Sequence, residues 1–275
     1  MYVLGVVGPS DSGKTTLVGR LVAQLGERGR VATVKHCTVD PDIDTEGRDT
    51  ARHREAGADV TYGIAEGSWF ATGDDRTLDE TLADLAPDYD ICVLEGYHWA
   101  DVPQVVLGGR EHAGEALATG ETAADVDVEA VCDALFETDP YECLDSLVAR
   151  AKRSPEAPKA GAIATFTGRV RAKDHDEDAV TESLEFEKYE GVAEERMAAL
   201  GAELEEREGV HEVLMHHRTG VIEYGEDIVF VVVLAGHREE AFRTVEDGIN
   251  RLKDEVPIFK KEVTTDEEFW VHERS

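Results

Sequence analysis

The sequence predicts two domains of different class. Residues 1–137 read as an α/β domain with a doubly wound, mainly parallel sheet, and residues 138–275 as an α+β domain. Three observations carry this. In the first part, short apolar runs alternate with helically spaced segments, as strand–helix–strand units require. In the second, strands follow one another and the helices are set apart. Between them, Asp139 and Pro140 break the periodicity.

The elements follow in order. Residues 2–7 are an apolar run ending in glycine, and a loop follows. Leu17, Val18, Leu21, Val22 and Leu25 recur at helical spacing. Residues 31–34 and 91–94 are further β-branched or aliphatic strands, with helices at 49–57 and 77–85 between them. Asp125 to Val128 opens a helix through Phe136 that closes the first domain. Leu144, Leu147 and Val148 then mark a helix, which the proline-rich 154–158 ends. Strands are expected near 161–168, 180–189, 211–218 and 228–235, and a helix over 192–207. A helix over 239–253 should bury Phe242, Val245, Ile249 and Leu252 on one face, and an extended stretch begins at Pro257.

The chain has 275 residues, 60 acidic against 28 basic, for a net charge of −32. Residues 1–133 carry 26 acidic and 10 basic side chains, and residues 134–275 carry 34 and 18, so the whole surface is acidic. A basic nucleic-acid-binding face is excluded. Only nine of the basic residues are lysines. A lysine-poor, pervasively acidic surface predicts a cytoplasm with molar salt, where charges are screened within about 3 Å. The apolar runs are far shorter than the roughly 20 residues that span a bilayer, and no leader pattern opens the chain, so a cytoplasmic location is expected. The four cysteines stand singly, which predicts reduced, buried thiols.

Residues 8–15 fit G-x-x-x-x-G-K-[ST] between a strand and a helix. Glycines let backbone N–H groups converge on phosphate oxygens, and the helix N-terminus adds its dipole. Gly8, Ser10, Asp11, Ser12, Gly13, Lys14, Thr15 and Thr16 are the candidate nucleotide ligands. Lys14 supplies a cation to the terminal phosphates and Thr15 a hydroxyl to Mg²⁺. Glu95 ends an apolar strand whose carboxyl end should lie beside this loop, within reach of the same metal. No Asn-Lys-x-Asp guanine reader is present.

With Val34-Lys35-His36, Asp42 to Asp44, Gly47 to Thr50, Arg52 to Ala58 and Leu94 to Tyr97, the first 110 residues resemble MobB, the GTP-binding accessory protein of molybdopterin guanine dinucleotide biosynthesis. The resemblance implies GTP and Mg²⁺, with Asp44 and Glu95 near the metal. Cys37 and Thr38 stand where the family has a second histidine, and residues 101–104 replace its basic stretch.

In so acidic a chain, clustered cations need a reason. Arg169 and Arg171, His217 and Arg218, His237 and Arg238, Lys253, and Lys260 with Lys261 all fall at strand or helix ends. Singly, each suits a surface ion pair or a helix C-terminus. Jointly they read as an anion pocket. These segments, with Phe166 to Arg171, Leu184 to Tyr189, His217 to Gly220, Gly236 to Phe242 and Val256 to Glu262, resemble the large catalytic subunit of molybdopterin synthase, MoaE, from about 138 to the end. The resemblance implies an α/β hammerhead-type fold and a homodimer of large subunits. It implies one ubiquitin-like small subunit per large one, whose C-terminal Gly-Gly thiocarboxylate delivers sulfur to cyclic pyranopterin monophosphate. By position it makes Lys253 and Lys260 catalytic and places Arg171, His237, Arg238 and Lys261 at the substrate. Alternation sets Lys261 on the opposite face from Lys260. His217 suits a hydrogen-bonded strand-end residue better than a catalytic one.

The function expected is therefore sulfur transfer by a synthase subunit fused to a GTP-binding domain. Two rivals are a chain whose main output is nucleotide hydrolysis, the second domain being a scaffold, and a non-enzymatic module that hands over pterin intermediates. The intact Lys253 and Lys260 pair speaks against both.

Overall fold

The computed structural model describes residues 1–39, 47–173, 179–189, 191–264 and 268–271. The chain forms two compact units, Met1–Tyr141 and Glu142–Ser275.

The first unit runs β1 (Tyr2–Val7), α1 (Lys14–Leu25), β2 (Val31–Lys35), α2 (Asp49–Glu55), β3 (Val60–Ala65), β4 (Ser68–Gly73), α3 (Leu78–Leu85), β5 (Ile91–Glu95), β6 (Gln104–Leu107), β7 (Ala116–Gly120) and α4 (Val128–Leu135). Five strands form one sheet in the order β2-β5-β1-β6-β7, every neighbouring pair parallel. β5 and β6 are buried along their whole length, and β5 accordingly reads as an apolar run up to its terminal Glu95 rather than an alternating one. Leu17, Leu21 and Leu25 of α1, with Val131, Cys132 and Leu135 of α4, close over Leu4, Val6, Val93 and Val105 of the sheet. Thr77 caps α3, its hydroxyl accepting from the Glu80 N–H while the Glu80 carboxylate accepts from the Thr77 N–H.

The parallel sheet agrees with the sequence expectation, and β3, β4, β6 and β7 are additions to it. β3 and β4 make a separate antiparallel ribbon around a turn at Glu66 and Gly67. β6 has only four residues, and β7 is a half-exposed edge without a β-branched run, so neither announces itself by pattern.

The second unit runs α5 (Leu144–Lys152), β8 (Ala162–Arg169), β9 (Thr181–Lys188), α6 (Val192–Glu205), β10 (Val210–His217), β11 (Gly220–Glu223), β12 (Asp227–Ala235), α7 (Arg238–Glu255), β13 (Ile258–Thr264) and β14 (Glu268–Val271). Two antiparallel sheets result, β10-β12-β8 and β11-β9-β13-β14. β12 is apolar throughout because both its faces are covered. Val229, Val231, Val233 and Ala235 pack in the cluster that holds Leu200 and Leu204 of α6 and Ile249 and Leu252 of α7. The alternate residues Phe230, Val232 and Leu234 pack against Leu147 and Ala151 of α5. This is the α+β arrangement expected.

Two expectations need correction. Phe242 is 63% exposed; the buried stripe of α7 is Ala241, Thr244, Gly248, Ile249 and Leu252. Small residues let the helix lie close on the sheet, and Phe242 sits one step round the helix from Ala241, outside that stripe. Of the cysteines, Cys92 and Cys132 are buried and Cys143 half-buried, but Cys37 is exposed beyond the end of β2. Burial pushes the Cys92 thiol up to about 12, so it stays an inert thiol. Among the described residues, no helix is long and apolar enough to cross a membrane.

Candidate functional site

In the first unit the loop after β1 wraps back on itself. Asp11 (φ 62°) and Gly13 (φ 88°) both take the left-handed conformation, turning successive N–H groups to one side of the loop. A Cβ on Gly13 would in addition lie a tight 3.0 Å from that of Ala123. Gly8 is more tightly confined, since a Cβ there would lie 2.7 Å from the Ser12 hydroxyl and 2.8 Å from Leu107 Cβ. Ser12 is buried and its hydroxyl donates to the Pro9 carbonyl at 3.0 Å. Ser10, Asp11, Thr15 and Thr16 are exposed on the loop and the first turn of α1. The Lys14 ammonium crosses the loop to the carbonyls of Gly8 (2.9 Å) and Pro9 (2.6 Å). Arg20 fastens the loop after β7 to α1, donating to the Ala123 carbonyl at 2.6 Å.

Glu95 ends β5, paired in register beside Val6 of β1, so its carboxylate meets the phosphate loop. Its Oε1 accepts from the Thr15 hydroxyl at 2.9 Å and lies 2.9 Å from the Lys35 ammonium. Lys35 stands opposite Glu95 in the β2–β5 register. The neighbouring carboxylate raises the Lys35 ammonium above its ordinary value, so it stays charged. Lys35 was visible in the sequence only as part of a motif; its pairing with Glu95 follows once the strands are aligned. Asp44 lies outside the described residues.

In the second unit a cavity of about 1000 Å³ opens between the two sheets and the end of α7. Arg169, Arg171, Lys253 and Lys260 line it, with Phe166, Phe186, Leu252 and Ile258 as apolar wall. Lys253 comes from the last turn of α7, and Val256 with Pro257 turns the chain into β13, which returns Lys260 to the same space. Among the described lining residues these four cations meet one carboxylate, Glu262, whose Oε1 accepts from the buried Thr181 hydroxyl at 2.5 Å. Arg169 is tied to Asp227 at 3.1 Å and to the Gly225 carbonyl. The described lining is therefore rich in cations, suited to an anionic organic ligand. Sequence reasoning missed Thr181 and Glu262. The signal for Glu262 was its place two residues beyond Lys260 on an extended strand.

His217 also lines the cavity, buried, its ring edge-on to Phe186 at 4.8 Å and its Nδ1 2.6 Å from the Arg218 carbonyl. Burial holds the imidazole down at about 4, aided by His216 and Lys188, so the ring is neutral at pH 7 and Nδ1 carries the donated hydrogen. The hydrogen-bonded strand-end reading suits it. Arg218 donates to the Asp227 carbonyl at 2.8 Å and lies 3.7 Å from Glu226.

Three predicted substrate residues are placed elsewhere within the chain. Lys261 faces away from the cavity and lies 3.6 Å from Glu185, its register partner on β9. His237 precedes α7 and Arg238 begins it, both exposed and outside the cavity lining. Lys253 lies about 22 Å further along that helix at 1.5 Å per residue. Sequence clustering of cations did not reveal that the helix separates its two ends by this length.

Residues 3–132 match the family model for molybdopterin guanine dinucleotide synthesis protein B, and residues 138–255 that for the MoaE protein. A Haloferax volcanii protein named probable molybdopterin synthase is 56% identical over 275 residues, covering 100% of both chains. Its source fits the molar-salt reading of the acidic surface. The molybdopterin synthase catalytic subunit of Bacillus subtilis is 40% identical over 116 residues, 42% of this chain and 73% of that one. The crystal structure of molybdopterin synthase from Staphylococcus aureus aligns over 42% of this chain and 82% of its own, with 35% identity and a TM-score of 0.39.

Proposed function

We propose the function of this chain from the family to which it belongs, that of the molybdopterin synthases, in the two-unit form shared along its whole length with the Haloferax protein. The chain acts in molybdenum cofactor biosynthesis, as a synthase catalytic subunit joined to a nucleotide-binding unit of the MobB type.

The second unit transfers sulfur to cyclic pyranopterin monophosphate from the C-terminal thiocarboxylate of a ubiquitin-like small subunit. What supports this is the convergence of Lys253 and Lys260 with Arg169 and Arg171 on one cavity. Attack by the thiocarboxylate sulfur on an electrophilic pterin side-chain carbon forms the new C–S bond and develops negative charge beside the substrate's phosphate; water then cleaves the acyl C–S bond and the small subunit leaves as a carboxylate. Cations already in place on a helix end and a strand stabilise that charge without reorganising. Arginine forks suit the phosphate, and a lysine can move a proton at the reacting carbon. Glu262, held by Thr181, keeps the cation cluster from repelling itself. Large subunits pair as a homodimer, each with its own small subunit, and His237 and Arg238 belong to the substrate and tail site of that assembly.

The first unit binds GTP with Mg²⁺. The Thr15 hydroxyl and the Glu95 carboxylate lie 2.9 Å apart and are the hard oxygen donors this ion takes, so the residues fit it. Bound there, Mg²⁺ would neutralise phosphate charge, with Asp44 as a further ligand. Lys14 and the loop N–H groups orient the triphosphate.

The test is sulfur incorporation into cyclic pyranopterin monophosphate by the purified chain in molar KCl with thiocarboxylated small subunit. Formation of molybdopterin is expected, and no incorporation with a competent partner refutes the reading. Lys14→Ala should abolish GTP binding by calorimetry while sulfur transfer continues, because the two sites lie in units with separate cores. Unchanged GTP affinity in that variant refutes the phosphate-loop assignment.

A further inference from the structure

We propose that His217 is a specificity-determining residue of the second unit's cavity: its Nε2 accepts a hydrogen bond from an N–H or O–H group of the ligand, so the site selects an anion whose body carries such a donor. The inference rests on the reading of this cavity as the substrate site.

The tautomer follows from a hydrogen bond. A backbone carbonyl only accepts, so the Nδ1 that lies 2.6 Å from the Arg218 carbonyl carries a hydrogen. A neutral imidazole has one ring hydrogen, which leaves Nε2 with its lone pair. Burial keeps the ring neutral, and His216 and Lys188 act in the same direction. Among the described residues, His217 makes no other hydrogen bond.

The ring is also held in place. His217 is paired with Val229 in the β10–β12 register, and the next N–H, that of Arg218, donates to the Ile228 carbonyl at 2.8 Å. Phe186 meets the imidazole edge-on, with 69° between the ring planes. His217 is only 8% exposed, yet it lines the cavity. Its Nδ1 edge is taken by the Arg218 carbonyl, so the edge that meets the cavity is the one with Nε2.

The neighbours give this lone pair its use. Arg169, Arg171, Lys253 and Lys260 line the same space and can only donate. They suit an anionic group. A ligand N–H or O–H among them meets other donors and loses the hydrogen bonds it had in water. A fixed imidazole acceptor on the wall restores one of them. An analogue without that donor leaves the buried lone pair unpaired, which is how a polar site rejects a near-isostere.

The test separates the two ring nitrogens. A glutamine amide can place its oxygen where Nε2 stands, and an asparagine amide can place its N–H where Nδ1 stands. Cyclic pyranopterin monophosphate, an anion with ring N–H groups, is titrated by calorimetry into the full chain in molar KCl. His217→Asn should weaken its binding about tenfold, and His217→Gln by no more than about threefold. Sulfate, an anion without a donor, should displace it with the same inhibition constant in all three chains. Thermal unfolding confirms that each variant folds. Natural affinity in His217→Asn overturns the proposal, because His217 would then act only through the Arg218 carbonyl. A loss in His217→Gln as large as that expected of His217→Asn overturns it too. So does a matching loss of sulfate affinity, which would assign the effect to the cation cluster. Any of these with sulfur transfer intact in the natural chain refutes this inference alone. Failure of the natural chain to bind the monophosphate refutes the synthase reading and this inference with it.

Discussion

Replacing Lys260 and Lys261 in turn separates the charge proposed to be catalytic from a structural one by a single step along the chain. Lys260 lines the cavity with Lys253 and two arginines, whereas Lys261 leaves it and lies 3.6 Å from Glu185. If Lys260 stabilises charge that appears only in the transition state, its loss costs about 2.7–4 kcal/mol of barrier. At about 1.4 kcal/mol per decade, that is a fall of roughly 100- to 1000-fold in the chemical step. The Lys261–Glu185 pair is partly exposed, so its loss costs about 0–1 kcal/mol of stability, screened further by salt, and little rate. Lys253→Ala should match Lys260→Ala in rate. It should also lose about 0.3–1 kcal/mol of stability, since Lys253 complements the C-terminal dipole of α7. The assay is single-turnover sulfur transfer with saturating thiocarboxylated small subunit, alongside thermal unfolding to confirm that each variant folds. A Lys261→Ala rate as low as that of Lys260→Ala refutes the assignment, as do natural rates in both Lys253→Ala and Lys260→Ala.

Two further outcomes follow. The folded-state value of His217, about 4 against an ordinary 6.5, means the unfolded chain binds the extra proton first as pH falls. Its contribution is therefore whole above about pH 6.5 and is lost progressively down to about pH 4, by at most about 3 kcal/mol. Denaturant unfolding of the second unit at pH 7 and pH 4.5 should show a smaller loss in His217→Gln than in the natural chain; parallel losses refute the assignment. Separately, repulsion among 60 carboxylates should make the melting temperature rise from 0.1 to 2 M KCl, and a flat or falling profile contradicts the molar-salt reading.

What the sequence made legible was what local spacing encodes. The phosphate loop, the strand ending in Glu95, and the two lysines either side of Pro257 each need only a few adjacent positions, and each stands where the pattern put it. What escaped depends on alignment between distant segments. The Thr181–Glu262 contact joins residues 81 positions apart, and the Lys35–Glu95 pair needs β2 beside β5. Phe242 misled because it extends the face of Val245, Ile249 and Leu252, which do pack on the core, whereas in that turn the sheet takes the small Ala241 instead. His237 and Arg238 open α7 and Lys253 closes it, so within one chain the helix length separates residues that the sequence groups together.

The strand that presents Lys260 has a mechanical consequence. β13 is bonded to β9 along its length and to β14 on its other edge, and the helix before it is anchored by Ile249 and Leu252 in the core. Amide hydrogens in such an interior strand exchange with solvent through large cooperative openings rather than local fraying. Lys260 is therefore carried on a strand paired along both edges, which holds it as a fixed part of the cavity wall. The entropy of ordering this strand is spent when the unit folds, so a ligand that meets Lys260 does not have to order it again.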